Sequence, residues 1–158
     1  MNKFSIPKLS DTMLKECLQK AADSERQRYP KILHQPGDEF NRVFNFMMKD
    51  TYMHPHLHQG EEKIEKMYLV QGSFAVLFFN DIGKVEKVSV MEKGGCEYIE
   101  IPAFTWHTYI MLKNNVVSYE TMMGRFDPKT WKTLAKWAPR ENTYESNSYL
   151  ESLRRQLV

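Results

Sequence analysis

The stretch His54–Gly72, HPHLHQGEEKIEKMYLVQG, decides how this chain is read. It holds His54, His56, His58 and Glu65, and only two other histidines, His34 and His107, occur in the chain. On a strand, alternate side chains face one way, so His56 and His58 project to the same side. A loop containing Gly60 then separates them from Glu65 on the next strand, and His107 sits on a later strand-like segment between Trp106 and Tyr109. Three imidazoles with one carboxylate suit a first-row divalent ion such as Fe, Mn, Ni, Co or Zn, whereas Mg and Ca favour all-oxygen sites. The plain alternative is that His54, His56 and His58 decorate an exposed strand.

Outward from this stretch the pattern is β. FNRVFNFMM (40–48) precedes it, with a turn at Lys49-Asp50-Thr51. Gln71-Gly72 turns into the apolar run SFAVLFFN (73–80), and Asp81–Lys84 reads as a hairpin turn into KVEKVSVM (84–91). Gly94-Gly95, CEYIEIP, TWHTYIML (105–112), Asn114-Asn115 and VVSYETMM (116–123) follow. Short strands with turn residues roughly every 8–12 positions describe a sandwich or barrel.

The flanks lose this alternation. Phe4 and Ile6, closed by Pro7, form an apolar arm suited to an edge strand. From Ser10 or Asp11, which can cap, Met13, Leu14, Cys17, Leu18, Ala21 and Ala22 share one helical face. Tyr29-Pro30 ends the helical pattern, and Gln35-Pro36-Gly37-Asp38 is a turn. After the strands, Asp127-Pro128 opens a helical turn through Trp131 and Leu134, interrupted by Pro139. A polar linker, ENTYESNS, then leads to a short helix from Tyr149. Trp131, Trp137 and Pro139 are expected to close one barrel end. The expected organisation is one domain over 1–158, with an arm and helix (1–39), a β-barrel core (40–123) and a covering segment (124–158).

With 158 residues, 42% of them apolar, the chain has enough material for a core without staples. A net charge of +2 with interspersed signs carries no nucleic-acid footprint. Cys17 and Cys96 stand far apart in unrelated segments, as free thiols of a reducing compartment do. No apolar run approaches the roughly 18 residues of a membrane span, and the N-terminus lacks a secretory h-region. The expectation is a cytoplasmic protein that binds neither membrane nor nucleic acid.

The spacing of these residues resembles the cupin superfamily. Its first motif runs Gly, five residues, His-x-His, a gap, Glu, six residues, Gly; here Asp50, His56, His58, Glu65 and Gly72 take those places. Its second motif runs Gly, five residues, Pro-x-Gly, two residues, His, matched here by Pro102 and His107. Over about residues 26–141 the chain looks like the WbuC-type cupin metalloproteins, through DTYMHPHLH, EKMYLVQG, YIEIPAFTWHTYIML and a late DP…WAP segment. The resemblance implies a mainly β fold, a double-stranded β-helix (jelly roll), with an N-terminal helix and a short C-terminal helical segment. It also implies metal ligands His56, His58, Glu65 and His107, and leaves His54 as a neighbour that supports a ligand or contacts substrate.

Three departures stand out. Asp50 replaces a glycine, tolerable if it adopts a left-handed turn. The gap from His58 to Glu65 is longer than usual. Phe104 replaces the glycine of Pro-x-Gly, and this turn is expected to take another geometry.

Around the centre, Arg42 shares a face with Phe40 and Phe44 and is expected to clamp an anionic substrate, joined by Arg26, Arg28 and His34. Tyr109 shares the parity of His107 and is expected to line the pocket, both as a substrate contact and as a catalytic candidate. Glu120 on the last strand is the candidate general base. Three functions compete: a metal-dependent enzyme (isomerase- or epimerase-like) on a small sugar- or carboxylate-type molecule in surface polysaccharide or O-antigen metabolism; an iron-dependent dioxygenase; and a non-catalytic sugar- or ligand-binding module. A homodimer formed through sheet edges is also expected.

Overall fold

A computed structural model describes residues 5–157, so Phe4 of the expected arm and Val158 lie outside the described residues. Two five-stranded sheets face each other. In chain order the elements are α1 (Asp11–Asp23), β1 (Arg28–Ile32), β2 (Phe40–Met47), β3 (His56–Leu57), β4 (Glu65–Gln71), β5 (Ser73–Phe79), β6 (Val85–Glu92), β7 (Tyr98–Ile101), β8 (His107–Met111), β9 (Val116–Met123), β10 (Thr133–Leu134) and α2 (Tyr144–Arg155). The first sheet runs β1-β2-β9-β4-β7 and the second β10-β3-β8-β5-β6, with every pairing antiparallel. This is the mainly β jelly roll expected from the sequence, with its two sheets meeting at open edges.

Strand alternation sorts the apolar residues into layers. Inward residues Met47, Met67, Phe74, Val76, Tyr109 and Met111 meet between the sheets. The outer face of the first sheet presents Phe44, Phe46, Tyr68 and Tyr119 to Cys17 and Ala21 of α1. The outer face of the second presents Ala75, Leu77, Phe79 and Ile110 to Leu150 and Leu153 of α2. Both helices thus cover faces that would otherwise expose aromatic and aliphatic surface.

Helix α1 starts where its capping residue requires: the Ser10 hydroxyl accepts from the Met13 amide at 3.1 Å. The turn at Gln35–Asp38 forms with Gly37 at φ 89°. Cys17 and Cys96 are both free thiols. Among the described residues, no helix is long and apolar enough to cross a membrane.

Four local expectations give way. Pro30 does not end the helix, which stops at Asp23, but sits within β1, an edge strand, where its missing N–H costs no ladder bond. The segment after Asp127 makes one turn, with the Trp131 amide donating to the Asp127 carbonyl at 2.8 Å, and then forms β10 against β3 instead of a helix. All but the first three residues of the expected linker belong to α2, which begins at Tyr144 and buries Ser146 as well as Leu150 and Leu153. Asp50 is not left-handed, whereas Phe104 is, at φ 58°. The Pro-x-Gly turn therefore keeps a glycine-like backbone despite its bulky residue, whose ring is exposed.

Candidate metal centre

His56 and His107 are direct partners across the β3–β8 pair, with ring centroids 4.5 Å apart. His58 lies just past β3, and Glu65 opens β4 in the opposite sheet. One ligand atom from each of the four lies within 4.8 Å of the others, and all four residues are buried. The structure thus brings together the His56, His58, Glu65 and His107 set that the sequence singles out.

The hydrogen bonds around the rings fix their tautomers. His56 Nδ1 faces the His54 carbonyl at 2.9 Å, His58 Nδ1 the Trp131 carbonyl at 2.7 Å, and His107 Nδ1 the Thr105 carbonyl at 2.8 Å. A carbonyl only accepts, so each Nδ1 carries the proton and each neutral ring offers an Nε2 lone pair. Two of those nitrogens meet an acceptor: His107 Nε2 and His58 Nε2 lie 3.1 and 3.3 Å from Glu65 Oε2. Lone pairs converging on a carboxylate oxygen require a cation among them. Burial, followed by the charge of His107, holds the His56 pKa well below its ordinary value, which disfavours supplying that cation as protons on every ring. The donor set fits one divalent ion, and its carbonyl partners supply the outer support that orients metal-bound imidazoles.

Glu65 is set for this role. When protons on His107 and His58 take the cation's place, burial opposes the Glu65 charge but their hydrogen bonds and charges hold its carboxyl well below the usual range. The Tyr109 hydroxyl donates to Glu65 Oε1 and so fixes the carboxylate from the other side. Burial, then the charge of Glu65, drives the Tyr109 phenol well above its ordinary value.

Beside the centre lies a cavity of about 260 Å³. The inward side chains of β2 line it, with Glu120, Met67 and Tyr109 from neighbouring strands, and Arg28, Ile32 and His34 from β1 and its extension. Asn45 donates to Glu120 Oε2 at 2.9 Å. Burial and then the Glu65 charge push the carboxyl of Glu120, the candidate general base, well above the usual range.

Two of the expected substrate contacts lie elsewhere. Arg42 is absent from the cavity lining because Asn41, Val43 and Asn45 take the inward positions of β2, leaving Arg42 on the face that carries Phe44 toward α1. His54 is also absent from the lining; its Nε2 meets the Ala135 carbonyl at 2.7 Å. Regular pairing begins only at His56, so strand parity does not extend back through Pro55. Arg26, Arg28 and His34 do line the cavity.

Sequence reasoning missed Lys132 and Glu141. Lys132 lines the cavity from the segment that leads into β10. Glu141 binds Arg28 Nη2 at 2.5 Å and Arg26 Nε at 3.0 Å. Trp131, expected to cap a barrel end, instead lines the cavity and holds His58 through its carbonyl. No local pattern marks these residues, since each acts only after long-range folding.

The family model described as "Domain of unknown function (DUF6016)" matches residues 9–91. No curated protein matches the sequence. Among solved structures, the chain is similar to protein SO0799 from Shewanella oneidensis, with 10% identity and TM-score 0.52, covering 67% of this chain and 69% of that one. KdgF from Halomonas sp. is 21% identical at TM-score 0.51, covering 65% of this chain and 84% of that one. A variant of oxalate decarboxylase from Bacillus subtilis is 13% identical at TM-score 0.51, covering 70% of this chain but only 33% of that one. These likenesses give the fold, a cupin jelly roll.

Proposed function

This chain belongs to the DUF6016 family, and we propose that it is a divalent-metal cupin enzyme acting on a small molecule. The observation that carries the reading is the meeting of His56, His58, Glu65 and His107 within 4.8 Å, with His58 and His107 Nε2 against Glu65 Oε2, beside the cavity. In this reading those four residues are the ligands. Bound there, a first-row divalent ion supplies Lewis acidity to a carbonyl or activates a bound water. Tyr109 orients the Glu65 carboxylate, and Glu120, the candidate general base, faces the substrate space. The WbuC-type resemblance supports a role in surface polysaccharide or O-antigen metabolism; free cysteines support a cytoplasmic location, and pairing through sheet edges supports a homodimer, which light scattering tests.

Elemental analysis of freshly purified protein tests the centre. About one divalent transition metal per chain is expected, lost in His56→Ala and His107→Ala variants. Full metal content in both variants would refute the assignment. Iron accompanied by oxygen uptake would redirect the reading to a dioxygenase. Metal without turnover on any sugar or carboxylate would redirect it to a binding module.

A further inference from the structure

The cavity is bounded at the seam where β1, the edge of the first sheet, approaches β10, the edge of the second. Its lining is not evenly polar. Arg28 and Ile32 lie on the same face of β1, about 13 Å apart by strand rise, so the arginines sit at one end and Ile32, with His34 and Asn41, at the other. Met122, Phe126 and Trp131 add apolar surface, while Arg26, Arg28 and Lys132 supply positive charge.

These three cations have one ion-pair partner among the described residues. Glu141 takes both arginines, and Lys132 forms no ion pair. Glu120 faces the same cavity, but its Oε2 is engaged by Asn45. Burial, followed by the like charges of Arg28 and Arg26, lowers the Lys132 pKa. An anion placed among these groups would relieve that repulsion and gain charge-assisted hydrogen bonds.

Resting on the metal-dependent cavity just described, we propose that the ligand carries an oxyanion, a carboxylate or a phosphate, received by Lys132 together with Arg28. Glu141 is then a positioning residue: by holding Arg26 and Arg28 from one side, it fixes their guanidinium planes before the ligand arrives. Lys132 contributes a point charge from the opposite sheet. Its charge is the specificity determinant, because a neutral ligand would leave it without a partner.

Isothermal titration of the full chain, metal-loaded and metal-free, with malonate, inorganic phosphate and glycerol tests the proposal. At least one anion is expected to bind and glycerol is not; which anion binds tells carboxylate from phosphate. Lys132→Gln should weaken the anion about tenfold, the loss expected for a charged hydrogen bond, while Lys132→Arg retains it. Circular dichroism establishes that both variants are folded. Equal binding of glycerol, no binding of either anion, or a folded Lys132→Gln chain that binds as the parent does would overturn it. Lys132-dependent anion binding in a chain that takes up no metal would uphold this proposal and refute the metal centre. Anion binding that needs metal and ignores Lys132 would do the reverse.

Discussion

The Phe104 amide donates to the His58 carbonyl at 2.8 Å, and Phe104 makes this bond from the left-handed region, at φ 58°. A turn that ordinarily needs glycine thus anchors a candidate ligand. A non-glycine residue in this conformation costs about 1–2 kcal/mol, and a β-branched one costs most. Because Phe104 already carries that cost, Phe104→Val should destabilise the fold only by the added strain of the β-branch, about 1 kcal/mol, in denaturant melts. Phe104→Gly should be at least as stable as the parent, because the half-exposed ring contributes little packing. If valine and glycine rank the other way, the backbone at this turn is not strained.

Chelation should expose the centre through stability. An ion bound by the native state alone stabilises it by about 2.7 kcal/mol at a hundredfold excess over Kd. For a chain of this size that corresponds to a Tm shift of about 5–10 °C. Differential scanning fluorimetry with EDTA should show that fall, and adding zinc or manganese should reverse it. The His56→Ala variant should melt at one temperature with or without chelator; a persistent EDTA effect there would mean that the ion binds elsewhere.

Much of the framework was legible because it is local. From β2 to β9, turn residues and alternating apolar positions mark each strand, and the Ser10 cap marks the start of α1. The spacing of His56, His58, Glu65 and His107 marks four residues that meet in space. What escaped is long-range or short. Strand β10 spans two residues and exists only by pairing with β3. Pro30 reads as a terminator unless one knows that β1 is an edge strand. Arg42 was misdirected for a related reason: parity groups it with Phe40 and Phe44, but only the position of α1 reveals which face of β2 points outward. Lys132 and Glu141 reach the cavity from the C-terminal segment, a relation no nearby residue encodes.

The Arg28–Glu141 pair predicts an acid-sensitive term. Arg28 is 8% exposed and Glu141 21%, so neither charge is freely solvated. Burial pushes the Glu141 carboxyl up, but Arg28 and Arg26 together hold it below its ordinary value of 4.5. A depressed carboxyl contributes its stability fully above the unfolded-state pKa and loses it as pH falls through the folded one. The parent should therefore lose stability as pH drops below about 4.5, the ordinary carboxylate value. Glu141→Gln should lose about 2 kcal/mol at neutral pH, below the figure for fully buried pairs because Thr51 and Tyr52 still accept from Arg28. Its stability should also be flatter through the acid range; parallel acid limbs in urea titrations would exclude this pair as a source.

Gly83, in the β5–β6 turn, predicts a coupling between that hairpin and the C-terminal segment. Its φ is +87°, and a Cβ built there would lie 2.5 Å from Trp137 Cε3. Trp137 cannot retreat easily, since its ring packs against Phe79 and Trp106 at centroid distances of 5.0 and 6.0 Å. Gly83→Ala therefore combines backbone strain with a steric clash and should cost about 2 kcal/mol or more. If the clash contributes as argued, Trp137→Ala should absorb part of the penalty, and the double variant should lose at least about 1 kcal/mol less than the two single losses added. Denaturant melts of the four proteins give that coupling. Strict additivity would mean that backbone strain alone accounts for the cost and that the tryptophan does not restrain the hairpin.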